Sequence, residues 1–247
     1  MSVFSWSWFR SYVQREMILN KMHPELFTIG SFTLHSYGVM IALAFLAGIT
    51  ASILIGKRES ISAETVLDGV LWVMLASIVG ARLFYVVEFW NTFSSPLDML
   101  RVWEGGLVFY GGMFFGVLAL ILFGFTKKIP FLKILDLAAP ATAIGYAIGR
   151  IGCFLNGCCR GIDGHPVQLY STMIWSVLFV FLVVLHGRKK FDGQVFSVGL
   201  ILYSGYRFLM EFLRVNPRYL FNLSEAQLIS ILFFLLGIIL YAKTKTR

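Results

Sequence analysis

Long apolar segments separated by short polar connections run through most of this chain. A helix that crosses the hydrocarbon core of a bilayer needs about 20 mainly apolar residues. Segments that meet this requirement cover residues 36–56, 67–89, 106–125, 133–154, 171–187, 194–213 and 225–242. The pattern therefore predicts an all-α polytopic membrane protein with about seven transmembrane helices.

The apolar segments follow one another almost without a break from Ser36 onwards, which favours a single transmembrane domain over residues 36–247. Residues 1–35 carry tryptophans and arginines but no long apolar core with a small-residue cleavage site. A removable signal peptide is therefore not expected. We predict that residues 1–35 form an interfacial amphipathic segment.

Composition and charge agree with lipid as the solvent. Hydrophobic residues make up 58% of the chain and charged residues 14%, against about 25% charged residues in a typical soluble domain. The net charge of +8 arises mainly in short connections, and no RNA- or DNA-binding pattern accompanies it, so we predict no nucleic-acid partner. Over alternate connections, eleven lysines and arginines fall on one side and seven on the other. Because the more basic loops stay in the cytoplasm, the N-terminus is predicted outside and the C-terminus in the cytoplasm.

Arg82, Arg150 and Arg207 lie within the predicted spans or at their ends. An arginine at bilayer depth costs about 2.5–3.5 kcal/mol on insertion scales and does not deprotonate. Each one therefore requires a carboxylate, carbonyls, water or an anionic ligand. Glu211 follows Arg207 by four residues and can pair with it on one helix face. Ion pairs and snorkelling side chains are one interpretation; the favoured one is a phosphate site in a polar, lipid-accessible cavity.

Two glycine-rich segments lie on the outer side of this topology. Residues 149–161 close the fourth span, where Arg150 and Asn156 indicate a polar pocket wall and a tightly packed helix end is the alternative. Residues 103–112 open the third span with two Gly-Gly pairs around Tyr110. Non-helical backbone lining a cavity and close helix packing fit this second segment equally well.

The three cysteines, Cys153, Cys158 and Cys159, are too few for a disulfide scaffold. Together with His165 they could in principle bind zinc, but adjacent cysteines suit one tetrahedral site poorly, and a lone histidine is more often structural. No serine–histidine–aspartate pattern, P-loop or nucleotide fingerprint is present. We therefore predict neither a metal nor a cofactor.

With these motifs in order, the chain resembles the prolipoprotein diacylglyceryl transferase family from about His23 to Pro217. The motifs that carry the resemblance are His35-Ser36-Tyr37-Gly38, Gly80-Ala81-Arg82-Leu83-Phe84-Tyr85, residues 103–112, Gly149-Arg150-Ile151-Gly152 with Asn156-Gly157, His165-Pro166 with Gln168-Leu169-Tyr170, and residues 206–214. Each motif is modest alone, but their order, spacing and membrane setting are together specific.

The resemblance implies an enzyme of the bacterial inner membrane that takes the diacylglyceryl group from phosphatidylglycerol. The acceptor would be the lipobox cysteine in the signal peptide of a prolipoprotein, with a thioether formed and glycerol phosphate released. The fold would be a seven-helix body around a polar cavity that faces the outside of the inner membrane. Two alternatives stand beside this function: a related phospholipid-headgroup transferase with another acceptor, and an anion transporter.

The resemblance also implies roles for individual residues. Arg150 and Arg207 would hold the phosphate and stabilise its charge as it leaves, and Glu211 would fix Arg207. Further substrate contacts would come from Tyr37, Arg82, Asn156, Gly157 and His165. Many members have a histidine where this chain has Tyr110, and a tyrosine of pKa about 10 is a poor base. Tyr110 is therefore a candidate catalytic residue, as a base or as an orienting group, and the proton acceptor stays open.

Overall fold

A computed structural model of the chain describes residues 25–29, 32–93, 95–102, 105–214, 216 and 222–246. Within these residues, seven helices are long and apolar enough to cross a membrane. They are α1 (Ser36–Arg58), α2 (Ala63–Glu88), α3 (Phe109–Lys127), α4 (Phe131–Leu155), α5 (Val167–His186), α6 (Gln194–Met210) and α7 (Glu225–Lys245). A 3-10 turn, Glu211–Leu213, directly follows α6. The prediction of an all-α polytopic membrane protein is confirmed.

The helix ends follow local polar signals that extend beyond the apolar segments. The Ser62 side chain accepts a hydrogen bond from the Thr65 N–H at 3.1 Å, so α2 begins four residues before the predicted span. At the start of α7, Ser224 and Gln227 form a capping box. The predicted spans therefore match the seven helices in order and number, with ends displaced by a few residues.

A short antiparallel β-hairpin precedes α1, and the apolar pattern did not predict it. Strand β1 (Glu25–Ile29) pairs with strand β2 (Phe32–His35). On β1, Leu26 and Phe27 are about half exposed, at 49% and 51%. The predicted interfacial segment falls mainly on residues 1–24, which lie outside the described residues, so that assignment stays a prediction.

The spanning helices expose much of their apolar surface, as a membrane body does. Large hydrophobic side chains such as Trp72, Phe125 and Val177 are 65% to 77% exposed, and a bilayer would cover them with acyl chains. Helix α4 differs, because Phe131 at its start is the one large hydrophobic residue that it exposes. The helix that carries Arg150 therefore exposes fewer large hydrophobic residues than any other spanning helix.

Contacts within the chain divide it into two compact units, which we describe separately. The first comprises residues up to 52 together with residues 135–247, and the second comprises residues 53–134. The core of the first unit lies between α4, α5 and α6. Its buried members are Ala143, Ala147, Val167, Trp175, Leu178, Leu182, Val195, Tyr206 and Met210.

In the second unit, glycines on α3 permit close packing against α2. A Cβ at Gly112 would lie 3.1 Å from the carbonyl oxygen of Ser77, and one at Gly116 would lie 2.5 Å from the Ser77 hydroxyl oxygen. Rotation of the Ser77 side chain could relieve the contact at Gly116, but a Cβ at Gly80 on α2 would lie 2.6 Å from the carbonyl oxygen of Gly111, which only separation of the helices relieves. Close helix packing therefore accounts for the glycines inside α3.

A fully buried carboxylate, Asp136, connects the first turns of α4 and α6. It accepts hydrogen bonds from the Gly193 N–H at 2.8 Å and the Phe196 N–H at 2.9 Å. The Lys189 ammonium group lies 3.2 Å from the same carboxylate and is itself only 12% exposed. Asp136 thus satisfies free N–H groups at the start of α6 and pairs with a neighbouring charge.

We expect Asp136→Ala to lower the free energy of unfolding by about 3 kcal/mol, because it leaves the buried N–H groups of Gly193 and Phe196 without their acceptor. It also removes one of the two carboxylates that pair with Lys189, whose other partner, Asp192, lies 2.8 Å away. Asp68→Ala is the matched control. Its pair with Lys127 is 42% exposed on both sides, so its loss should cost less than about 1 kcal/mol. Thermal unfolding of both variants in detergent measures the difference, and equal losses would contradict the anchoring role of Asp136.

Candidate functional site

Arg150 lies near the C-terminal end of α4 and is half-buried. Its guanidinium group donates a hydrogen bond to the hydroxyl of Tyr146, one helical turn earlier, and lies 4.9 Å from the centroid of that ring. Among the residues that the structure describes, no carboxylate lies within 4.0 Å of this guanidinium. A neutral aromatic residue therefore holds Arg150, and the group keeps its full positive charge.

Arg207, in the last turn of α6, has a carboxylate partner instead. Its Nη1 atom lies 2.7 Å from Oε2 of Glu211, and the Glu211 side chain is 2% exposed. The other carboxylate oxygen accepts hydrogen bonds from the Ser224 hydroxyl at 2.9 Å and from the Asn216 amide. The predicted pairing of Arg207 with Glu211 is confirmed, and the two additional donors hold the carboxylate that positions Arg207.

An aromatic layer adjoins both arginines. Tyr146 on α4 and Tyr203 on α6 each precede an arginine by four residues, and residues four apart share a helix face. The Trp175 ring on α5 contacts both tyrosines, with centroid distances of 4.6 and 5.7 Å. Because α4 and α6 are separated by one spanning helix, they cross the membrane in the same direction. The two arginines therefore lie one turn beyond this layer at the same end, and both act electrostatically on the Tyr203 hydroxyl.

The two arginines and Glu211 together carry one net positive charge. An unpaired charge removed from water costs several kcal/mol, unless an anion accompanies it. A phosphodiester carries one negative charge, and its oxygens match the rigid fork of a guanidinium group. The arrangement therefore fits a single phosphodiester better than a neutral ligand.

Helix α4 ends in a Schellman motif built around Gly157, whose φ is +72°. The Gly157 N–H donates to the Phe154 carbonyl at 3.0 Å, and the Cys158 N–H donates to the Cys153 carbonyl at 3.1 Å. Asn156 is exposed at this helix end. Because this motif brings the residues at its two outer positions into contact, it places Cys158 beside Cys153.

The sulfur atoms of Cys153, Cys158 and Cys159 all lie within 4.8 Å of one another. Hydrogen bonding from the Cys153 thiol lowers the pKa of Cys159 to about 5; the Cys158 thiol, Arg214 and Arg150 act in the same direction, and burial opposes them. Burial raises the pKa of the Cys158 thiol. Of these two thiols, Cys159 is therefore the one that ionises more readily.

Two further predicted residues of the first unit flank this helix end. Tyr37, at the start of α1, is 41% exposed, and its ring would lie 3.3 Å from a Cβ at Gly152. His165 is exposed. Its carbonyl accepts hydrogen bonds from the N–H groups of Gly161 at 2.9 Å and Val167 at 2.8 Å. The backbone of His165 thus shapes the loop, and its ring is accessible.

In the second unit, the buried guanidinium group of Arg82 is surrounded by backbone carbonyls. Its donors lie 2.7 to 3.1 Å from the carbonyl oxygens of Asp98, Met99, Gly105 and Gly106. The same group lies 5.3 Å from the ring centroid of Tyr85 and 5.5 Å from that of Phe93. This geometry makes Arg82 the residue that holds the connection between α2 and α3 in place.

A cleft of about 330 Å³ beside Arg82 is lined in part by Gly105 and Gly106. Non-helical backbone therefore lines a cavity here, as one interpretation of the glycine-rich segment expected; Trp103 and Glu104 lie outside the described residues. Tyr110, in the first turn of α3, is 67% exposed. Among the residues that the structure describes, its hydroxyl has no hydrogen-bond partner.

Comparison with known proteins decides the family. The family model for prolipoprotein diacylglyceryl transferase matches residues 24–243. The phosphatidylglycerol–prolipoprotein diacylglyceryl transferase of Finegoldia magna is 37% identical over 239 residues, which cover 91% of this chain and 96% of that relative. A second relative of that name, from Clostridium perfringens, is 32% identical over 244 residues, covering 88% and 93%. This chain belongs to the prolipoprotein diacylglyceryl transferase family.

Three residues to which the sequence alone assigned no role help to build the candidate site. Tyr146 supports Arg150, Ser224 supports Glu211, and the fully buried Gln168 donates from Nε2 to the Cys158 carbonyl. Two of these carried a signal in the sequence: Tyr146 precedes Arg150 by one helical turn, and Ser224 begins a capping-box pattern. Gln168 belongs to a motif that carries the family resemblance, but that motif did not reveal its partner, which lies in a loop whose conformation the sequence pattern does not predict.

We expect Gly106→Ala to destabilise the transferase by about 2 kcal/mol more than Gly105→Ala. Both positions have positive φ, +69° and +90°, so both substitutions introduce left-handed strain. A Cβ at Gly106 would also lie 2.7 Å from Arg82 and displace its charged hydrogen bonds, whereas one at Gly105 meets nothing within 4 Å. Thermal unfolding of the two variants measures the difference in stability. A greater loss of stability in Gly105→Ala than in Gly106→Ala would contradict the role of Arg82 in holding the connection between α2 and α3.

Proposed function

We propose that this chain transfers the diacylglyceryl group of phosphatidylglycerol to the cysteine thiol of prolipoproteins in a bacterial membrane. Relatives that cover most of its length are named for this reaction, and seven spanning helices make it a multi-pass membrane protein. The observation that carries the proposal is Arg150, a half-buried cation that has no carboxylate partner among the described residues. A phosphodiester supplies the missing anion.

In the proposed reaction, a cysteine thiolate attacks the glycerol carbon that bears the phosphate. The carbon–sulfur bond forms as the carbon–oxygen bond breaks, and the electron pair leaves with glycerol phosphate. The phosphate passes from one negative charge towards two. Arg150 and Arg207 stabilise the added charge more strongly in the transition state than in the bound lipid, which accelerates the step.

The surrounding residues take different parts in this proposal. Arg150 binds the phosphate directly, and Glu211 positions Arg207 for the same purpose. Asn156 and Gly157 lie at a helix C-terminus, where carbonyl acceptors predominate, so they suit the glycerol hydroxyls of the headgroup rather than its phosphate. Tyr37 and His165 provide further substrate contacts, and Arg82 acts as a positioning residue through the connection that it holds.

The distribution of basic residues supports a site on the outer side of the inner membrane. Lys57 and Arg58 end α1, Lys127 ends α3, and Lys243 and Lys245 lie in the last turn of α7. By the positive-inside rule these ends face the cytoplasm. The C-terminal ends of α4 and α6, and with them the two site arginines, then face outwards, where a lipobox cysteine arrives.

Arg150→Ala should lower kcat/KM for diacylglyceryl transfer at least about a hundredfold, as expected when a donor to a developing anion is removed. Arg150→Lys keeps the positive charge but loses the planar set of N–H donors, so its kcat/KM should lie between that of the wild type and that of Arg150→Ala. Arg188→Ala, an exposed position after α5, is the matched control and should keep full activity. The assay follows glycerol phosphate release and thioether mass with phosphatidylglycerol and a lipobox peptide.

Two outcomes of this assay would argue against the proposal. Unchanged turnover in Arg150→Ala would remove the phosphate assignment. Lipid consumption without peptide modification by the wild-type protein would point to a headgroup transferase with another acceptor.

Tyr110→Phe should lower kcat/KM only about two- to tenfold, because we propose that the hydroxyl orients the substrate through one neutral hydrogen bond. Tyr110→His should leave the pH dependence of the rate governed by the same group as in the wild type. Rates of both variants across pH measure this. A loss above about a hundredfold in the phenylalanine variant would instead make the hydroxyl essential.

A further inference from the structure

We infer that Cys153, Cys158 and Cys159 bind a zinc ion whose fourth coordination position receives the thiolate of the substrate cysteine. The inference deepens the proposed function and depends on it for the identity of the fourth ligand. The binding of the metal by the three cysteines stands on the geometry of this chain alone.

The three sulfur atoms lie within 4.8 Å of one another. Zinc–sulfur bonds of about 2.3 Å in a tetrahedral site place the sulfurs about 3.8 Å apart. The cluster therefore has to contract by about 1 Å at most, which side-chain rotation supplies. Zinc is well suited to such a group, because thiolate sulfur is among its preferred ligands.

The backbone explains how two adjacent cysteines reach one site. The Schellman motif at Gly157 places Cys158 beside Cys153, and Gln168 holds the Cys158 carbonyl. Cys159 then adopts φ +63°, a left-handed conformation that is uncommon for cysteine. This reverses the chain and brings the third sulfur towards the other two. Strain of this kind at a residue other than glycine concentrates at functional sites.

Charge and exposure favour a metal over simple packing of three thiols. Cys159 is exposed, so burial of an apolar side chain does not explain its place in the cluster. Zinc with three thiolates carries one net negative charge. Arg214, which the proposed phosphate site does not use, acts electrostatically on Cys159 and would balance that charge.

The ligand count indicates an open position. Among the described residues, no histidine, aspartate or glutamate joins the three cysteines in this group. Structural zinc sites use four protein ligands, whereas sites with three keep a position for water or substrate. A thiol that coordinates zinc is deprotonated, so a prolipoprotein cysteine bound there needs no histidine or tyrosine base. Cys153 follows Arg150 by three residues on α4, which places that thiolate near the phosphate that leaves.

The test uses the full-length protein, purified in detergent with a phosphine reductant. We expect about one zinc ion per chain by elemental analysis, and loss of most of it in Cys153→Ser, Cys158→Ser and Cys159→Ser. His165→Ala, which alters the nearby residue considered as a ligand from the sequence, is the matched control and should retain the metal. With cobalt in place of zinc, the wild-type protein should show sulfur-to-cobalt charge-transfer absorption.

The fourth position is tested on the cobalt protein with two lipobox peptides that differ only in cysteine or serine at the acceptor. The cysteine peptide should raise the charge-transfer absorption by about one third, since a fourth sulfur joins three, and the serine peptide should not. Equal spectra with both peptides would overturn the substrate-binding role. The site itself would be overturned if the wild-type protein contained no zinc and showed no cobalt spectrum, including after incubation with either metal. Because this measurement uses the wild-type protein, it holds even if a cysteine variant fails to fold.

These outcomes separate the inference from the proposed function. Diacylglyceryl transfer by protein that binds neither metal would remove the zinc site and leave the proposed function in place. A cobalt spectrum that responds to the cysteine peptide, without any transfer from phosphatidylglycerol, would support the site and contradict the proposed reaction.

Discussion

A guanidinium group that cannot lose its charge in a low-dielectric environment is the constraint on which this structure depends. The three arginines in the spans meet it in different ways. Arg82 is surrounded by backbone carbonyls, Arg207 is paired with Glu211, and Arg150 is held by Tyr146 alone among the described residues. In the first two arrangements, groups of the protein itself accept the hydrogen bonds of the guanidinium or neutralise its charge. We propose that an anion completes the third, which is why the proposed phosphate site centres on Arg150.

The end of helix α4 serves two chemical purposes through one backbone motif. Gly157 terminates the helix in a left-handed conformation, and Asn156 is exposed just before it. The same turn brings Cys158 next to Cys153, and Cys159 closes the cluster. One cap thus shapes both the polar wall proposed for a lipid headgroup and the group of three sulfurs, on the helix with the fewest exposed large hydrophobic residues.

Predictions from the sequence succeeded where the governing interaction is local. The seven spans follow from the length of apolar runs against the bilayer thickness, and the Arg207–Glu211 pair follows from the spacing of one helical turn. The cap at Gly157 is equally local, and it carries the signal that would have placed Cys158 beside Cys153. Adjacent cysteines suited one tetrahedral site poorly on the sequence alone, and the left-handed conformation of Cys159 is the backbone feature on which our inference departs from that prediction.

What the sequence by itself determined is the membrane setting, the order of the helices, the placement of three arginines at bilayer depth and the family motifs. Only the tertiary structure decided which arginines find carbonyl or carboxylate partners within the protein and which one does not. The carbonyls around Arg82 come from residues 16 to 24 positions away, and Ser224 reaches Glu211 from 13 positions away. Such partners depend on how helices and connections pack, because a hydrogen bond forms only between atoms that lie within about 3 Å of each other. The spacing of residues along the chain does not specify which distant atoms come that close.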